Sequence, residues 1–391
     1  MGQELLTPTA VTRESLRIAH ESASFISTTN LTYDDQYAKS GAKIGDSLKI
    51  RLPNQYTVRT GKTLVAQETQ ESSVTMTLAT QKGVDMNFST AELTMSLDDF
   101  STRIIKPAIS VLVSVLEFDY LSNITKKVFS SVGTAGTTPN GMLVFGQARA
   151  KLNQHLAPKD NQRSVQINSD AMSSMVNAYA ALFHDQMEIK RQYRDGFISR
   201  NSGLDWYENE RIYSHTTGTD HTAVTVNDAS IASGDTTMTT AGANVTVGTV
   251  FTIANVNAVH PETKQSLGFA KQFVITAVSG NDWTFSPAWI STGAKQNVDA
   301  LPVTAAAITL VGSASTEYEQ HLVYHKDAFG FVTADLEKPG GVHFASREEM
   351  DGLSVRLVRQ YDINNDNIPA RLDILHGYEA LRPEWACRIT G

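Results

Sequence analysis

Histidine and carboxylate are the side chains most able to do chemistry in this chain, and their spacing is where its function is first sought. His321 and His325 stand four apart in a segment of alternating pattern, where a strand turns both to one face. His215 and His221 lie in a polar loop. A metal ion needs several converging ligands, and no His-Glu-x-x-His run supplies them, so these histidines read as structural. The run Asp362-Ile-Asn364-Asn-Asp366 opens like a calcium loop. It has Asn367 where the loop needs its glycine and Asp373 where it needs its last glutamate, so a turn between strands is expected. Lys338-Pro-Gly-Gly341 lacks the spacing of a phosphate cradle, and no Gly-x-Ser-x-Gly elbow occurs. The neighbours Asp34/Asp35 and Glu348/Glu349 diverge from each other and read as solvated. Cys387 stands alone, which excludes an internal disulfide framework and a cysteine cage. The sequence therefore calls for no catalytic residue, no metal and no cofactor.

The bulk properties narrow the field further. A chain of 391 residues, 41% hydrophobic, can build two or three domains with real cores. Its net charge of −8 is opposite to that of a protein gripping nucleic acid through phosphates. Met1–Ala10 holds Glu4 and Pro8 and has neither a charged nor an apolar leader region, and Leu6 breaks a myristoylation motif. Synthesis and residence in the cytoplasm are expected.

One long element organises the chain. From Ser96 to Ser131, Phe100, Ile104, Ala108, Val111, Leu112, Val115, Leu116, Leu121, Ile124 and Val128 recur at helical steps. Ser96 and Asp99 have capping spacing, Asp98 suits the positive end of the dipole, and Lys126, Lys127 and Gly133 suit the far end. Pro107 implies either a lead-in turn before a helix starting near Lys106, or a kink. Lys106, Glu117, Asp119 and Lys126 divide the helix into runs too short for a membrane span.

Before it, Thr12–Ser27 is amphipathic, and Thr28–Lys43, with Tyr33 and Tyr37, reads as an arm without its own core. Ser47–Leu52, Val74–Leu78 and the run Val84, Met86, Phe88 alternate as strands. Between the first two lies a polar tongue, Gln55–Ser73, basic early (Arg59, Lys62) and acidic late (Glu68, Glu71). Either it leans on a neighbouring molecule, because an isolated hairpin is marginal in water, or it is a mobile surface loop. After the long helix, helices are expected over Val144–Leu156, from Asn168 or Ser169 through Phe183, and over Asp185–Arg194. Strands are expected over Arg163–Ile167 and Phe197–Arg200. From Ser214 to Ser315 the composition turns rich in Thr, Val, Ala and Gly and poor in charge. Strands are expected there at Val224–Val226, Val245–Val247, Val250–Ala254, Phe273–Ala277, Trp283–Ser286 and Ile308–Val311. Many short strands at even spacing imply a small barrel or sandwich inserted between two parts of another domain. His321–His325, Phe329–Thr333, Val355–Val358 and Arg371–Leu375 are the later strands.

Three runs carry a resemblance to a known family. Leu97-Asp-Asp-Phe-Ser-Thr-Arg-Ile-Ile-Lys-Pro-Ala108, Tyr324-His-Lys-Asp-Ala-Phe329, and Arg371-Leu-Asp-Ile-Leu-His-Gly377 with Leu381-Arg-Pro-Glu-Trp-Ala386 are placed as in tailed-bacteriophage major capsid (coat) proteins of the short-tailed enterobacterial type. The resemblance implies an α+β, Hong Kong 97-type capsid fold with an inserted small β-barrel-like domain. The implied segments are an N-terminal arm (1–44), an extended loop overlapping the next subunit (45–88) and a peripheral domain on the spine helix (89–132). The axial domain (133–213 and 316–350) is interrupted by the inserted domain (214–315), and C-terminal strands (351–391) return to the peripheral domain. It also implies self-assembly into pentamers and hexamers of an icosahedral shell, scaffolding and portal partners, and no membrane. Double-stranded DNA is enclosed without sequence-specific binding, in a virion assembled in the host cytoplasm. Arg59, Lys62, Glu68 and Glu71 become candidate inter-subunit contacts, each exposed pair contributing about 0–1 kcal/mol.

The competing reading is a phage tail or adhesin component whose β-rich block binds a surface ligand. It requires clustered exposed aromatics, and Trp283, Phe285 and Trp289 are the nearest to that; a β-core using those rings is the simpler account. An enzyme is the weakest reading, since no site is recognisable.

Overall fold

The computed structural model describes residues 8–32, 45, 47–64, 66–68, 71–89, 104–179, 200–242, 244–350, 353–365 and 367–391. The expected cap at Ser96 with Asp98, Asp99 and Phe100, the arm tyrosines Tyr33 and Tyr37, the pair Asp34/Asp35 and the helix Asp185–Arg194 lie outside these residues, as does nearly all of the strand Phe197–Arg200. The chain divides into two compact units. One comprises Met1–Ile50, Val74–Tyr120 and Phe329–Leu381, the other Arg51–Ser73, Leu121–Ala328 and Arg382–Gly391.

Alternating sequences build the first unit. Strands β1 (Ser47–Leu52) and β2 (Ser72–Thr77) pair with each other, and β3 (Thr80–Ser89) follows. In the second unit come β4 (Ser131–Gly133), β5 (Arg163–Ile167), β6 (Asp205–Glu208), β7 (Tyr213–Thr216), β8 (Thr225–Val226), β9 (Thr237–Ala241), β10 (Val250–Val259), β11 (Ser266–Ser279), β12 (Asp282–Ser286), β13 (Ile308–Leu310) and β14 (Glu317–His325). The first unit resumes with β15 (Phe329–Ala334), β16 (Phe344–Met350), β17 (Leu353–Arg359) and β18 (Asn367–Ala380), and β19 (Ala386–Thr390) closes the chain in the second.

The fourteen-residue β18 is the hub of the first unit, pairing antiparallel with β3, β15 and β17. Leu48, Ile50, Met76, Val332 and Leu375 pack together beside it. An amphipathic helix, Pro8–Ser22, lies on β16 and β17 and buries Leu16, Ile18 and Ala19. Glu348 is not simply solvated as its neighbour pair suggests, because Arg13 on that helix stands 3.7 Å from it. The Asp362 turn forms as expected: its carboxylate accepts from Asn364 N at 3.0 Å and Asn365 Nδ2 at 2.7 Å, so local backbone geometry occupies it.

The α-helix runs Lys106–Thr125, led into by π-helical residues Ile104 and Ile105, so Pro107 stands in its first turn. Its 20 residues span about 30 Å. The helix stops short of the expected Val128 and Ser131 because the chain tightens at Lys127 and Val128 and then pairs in parallel with β19. By length and composition this helix does reach a membrane span, contrary to the division of its apolar runs by charge. Its packing decides the matter: Glu117 is fully buried and accepts the amides of Phe25 (2.7 Å) and Ile26 (3.3 Å), and Tyr120 stacks among Phe25, Phe331 and Tyr378.

The second unit holds two sheets. One has the order β4-β19-β14-β5-β6, with β7 also on β14. Helices Met142–Gln154 and Ser169–Tyr179 cover it, and Phe145, Leu152, Val165, Met175, Trp206, Val323 and Ile389 form its core. Asn168 caps the second helix, its Oδ1 accepting from Ala171 N at 3.0 Å. The other sheet, β13-β10-β11-β12-β9-β8, is antiparallel and has its own core of Phe251, Phe273, Trp283, Phe285 and Trp289. Val245–Val247 is not a strand: Gly248 turns the chain at φ 99°, its amide donating to Ile275 O at 2.7 Å. Strand β9 escapes the sequence pattern because Thr-Met-Thr-Thr-Ala has a single large apolar residue.

Candidate functional site

Two features of the second unit bear on function: a surface tongue and a buried seam. The tongue leaves β1 at Leu52 and returns at Ser72, and no regular element forms among its described residues. A side-chain amide ties its legs together midway. Gln67 Oε1 accepts from Thr57 N at 2.9 Å and Thr57 Oγ1 at 3.1 Å, while Gln67 Nε2 donates to Thr57 O at 2.6 Å. The four residues singled out by charge are all exposed. Arg59 donates to the Gly61 carbonyl, and Glu71 pairs with Arg51 at 3.1 Å. Among the described residues, none of Arg59, Lys62, Glu68 and Glu71 pairs with another of the four. Charge patterning overlooked the apolar members: Val58 is 97% exposed and Leu64 80%, with Tyr56 also outward. Their isolation in a polar run was the available signal.

The seam joins the β13-β10-β11-β12-β9-β8 sheet to the other sheet of the same unit. Arg388 on β19 is 1% exposed, and its Nε donates to Val128 O at 2.7 Å while Nη1 donates to Gly248 O at 2.7 Å. Its Nη2 also reaches Val128 O. Gln272 on β11 completes a second bridge: Nε2 donates to Ser131 O at 2.8 Å and Oε1 accepts from Ser131 N at 3.1 Å. Phe129, Val250 and Val274 fill the space between. Burial lowers Arg388 to about 10, so it keeps its charge at neutral pH. Burial pushes the Cys387 thiol up to about 12, which leaves it an unreactive packing group.

Among the described histidines, His215, His321, His325 and His376 are buried. His215 lies between Tyr213 Oη, 3.1 Å from Nδ1, and Thr249 Oγ1, 3.1 Å from Nε2. Burial, then the Arg388 and Lys126 charges, lower it to about 4. Burial lowers His321 and His376 to about 4 as well. His325 Nε2 stands 2.9 Å from Asp160. No three histidine, cysteine or carboxylate groups converge on a metal position among the described residues.

These depressed values make stability depend on acid. The folded imidazoles stay neutral, whereas an unfolded chain takes up protons as pH falls through about 6.5. Their contribution is complete above that pH and is lost as pH falls toward 4. Urea unfolding of the subunit at pH 5 is expected to show about 1–2 kcal/mol less stability per buried histidine than at pH 7.

Trp283, Phe285 and Trp289, the rings nearest to the exposed cluster that a ligand-binding β-block requires, are core residues. No curated protein matches the sequence. The chain is similar to a solved structure described as Mycobacterium phage Che8, at 10% identity and a TM-score of 0.47, covering 93% of this chain and 89% of that one. It is similar to the asymmetric unit of the bacteriophage PhiM1 mature capsid at 10% identity and a TM-score of 0.44, over 88% of this chain and 81% of that one. The CUS-3 coat protein I-domain matches at 30% identity and a TM-score of 0.21, over 25% of this chain and all of that one. The family model for P22 coat protein, gene protein 5, matches residues 33–391. With its α+β architecture of the Hong Kong 97 type, the chain belongs to the P22 coat protein family and is a bacteriophage major capsid protein, a virion component that self-assembles into the icosahedral shell.

Proposed function

We propose that the tongue within the extended loop (45–88) is the element that ties subunits together, with its apolar side chains buried against the neighbouring copy. The exposure of Val58 and Leu64 carries this reading, since burial of each contributes about 1.5–3 kcal/mol. Arg59, Lys62, Glu68 and Glu71 then fix orientation, because exposed ion pairs contribute only about 0–1 kcal/mol each. The arm (1–44) adds a second overlap.

Residues 214–315 act as an inserted, barrel-like domain. In support, Thr225 bridges to Ala307, Ile308 N donates to Val224 O at 2.9 Å, and Val226 N donates to Ala306 O at 3.0 Å, so the two ends of the sheet meet. The subunit serves as a building block and not as a catalyst. It assembles in the host cytoplasm as pentamers and hexamers around a scaffolding protein, with a portal, and encloses double-stranded DNA that its acidic chain does not grip.

Negative-stain electron microscopy and light scattering, with and without the scaffolding protein, test this. Closed shells or rings of five and six subunits are the expected result. A monodisperse monomer under every condition would overturn it.

A further inference from the structure

Within the second unit lies a cavity of about 370 Å³ whose walls carry more positive than negative charge. Lys271, Lys295 and Arg382 line it, against a single carboxylate, Glu384. Two aromatic rings stand beside the cations. The Lys271 ammonium is 4.7 Å from the Phe129 centroid, and the Arg382 guanidinium lies 4.1 Å over Trp385. Lys271 is only 5% exposed, and among the described residues no acceptor bonds its ammonium. A charge buried this far is costly unless it is paired.

We propose that this cavity is a binding site for a small oxyanion, a phosphate or carboxylate group, held by Lys271, Arg382 and Lys295. The guanidinium offers a planar fork for two oxygens, and the ammonium groups complete the neutralisation. The volume is within the range of small-molecule pockets. Burial lowers Lys271 to about 8, with the Lys151 charge adding to it and the Glu384 charge opposing it; burial raises Glu384 against the Arg382 and Lys271 charges. His155 on the same wall is held well below its ordinary value by burial and by the Lys271 and Lys151 charges, so it stays neutral.

Thermal unfolding of the full-length, unassembled subunit tests the site, with inorganic phosphate, citrate and chloride compared at matched ionic strength. Phosphate or citrate at about five times its dissociation constant is expected to raise Tm by about 2 °C over chloride. Phosphate acting alone identifies a phosphate site, and citrate acting alone a carboxylate site. Lys271→Met is expected to unfold at a higher temperature than the unaltered chain in chloride, because an unpaired buried cation is gone, and to lose the anion shift. Arg382→Gln, on the rim beside Trp385, is the second variant and is expected to reduce the shift. Equal Tm in all three salts would overturn the proposal. So would an anion shift of the same size in either variant, which would mark a general salt effect.

Discussion

Arg388→Ala is expected to destabilise the unassembled subunit by about 3–5 kcal/mol, the largest loss from any single side chain described above. The guanidinium bridges two backbone carbonyls from distant parts of the chain, Val128 after the long helix and Gly248 in the turn before β10. Its removal leaves both carbonyls buried without a donor and opens a void behind Phe129, Val250 and Val274. Arg388→Lys keeps the charge yet loses the fork, so it is expected to recover less than half of the loss. Urea unfolding followed by tryptophan fluorescence is the measurement, since Trp283 and Trp289 lie in the core of the sheet that the guanidinium ties down. A loss below about 1 kcal/mol in Arg388→Ala would mean that Gln272 and the apolar contacts hold the seam without the guanidinium.

The second large effect concerns assembly and leaves the folded subunit intact. Val58→Asp combined with Leu64→Asp is expected to abolish shell formation while changing the unfolding midpoint of the subunit by less than about 0.5 kcal/mol. Both residues are already exposed, so their replacement removes nothing from either core. In a shell the same two side chains would each lose about 1.5–3 kcal/mol of burial per subunit contact, and a buried aspartate adds a further penalty. Together these raise the concentration needed for assembly by roughly a hundredfold or more. Light scattering of the doubly substituted subunit, under conditions in which the unaltered subunit assembles, measures this, and normal shells from it would remove the tongue from the interface.

Much of the fold was legible in the residues. Arg163–Ile167 and Ser47–Leu52 form strands over the expected limits because alternating or continuous apolar runs leave a strand few other ways to bury itself. The compositional break at Ser214 falls within β7, which still pairs with β14; the separate antiparallel sheet begins only at β8, and its core lies between Val224 and Ile308. Other elements were hidden. Strands β9, β16 and β19 are short or polar, and β9 and β19 pair with strands far away in the chain, so their local sequence carries little of the signal. The end of the long helix is hidden for the same reason. Val128 continues its apolar period, yet the pairing of Ser131 with β19 draws the chain out of the helix.

The residues by themselves determined the class of protein: an acidic chain without a chemical centre, a long apolar helix, an uncovered charged tongue and a β-rich insert in a family-like order. These are local or compositional properties, and a sequence states them directly. The tertiary structure decided which polar groups matter. Arg388, Gln272, Glu117 and Lys271 are ordinary surface residue types in the sequence. They become anchors, or a candidate anion site, because chain segments far apart in sequence bury them. Desolvation depends on what packs around a group, and no property of the residue alone supplies that.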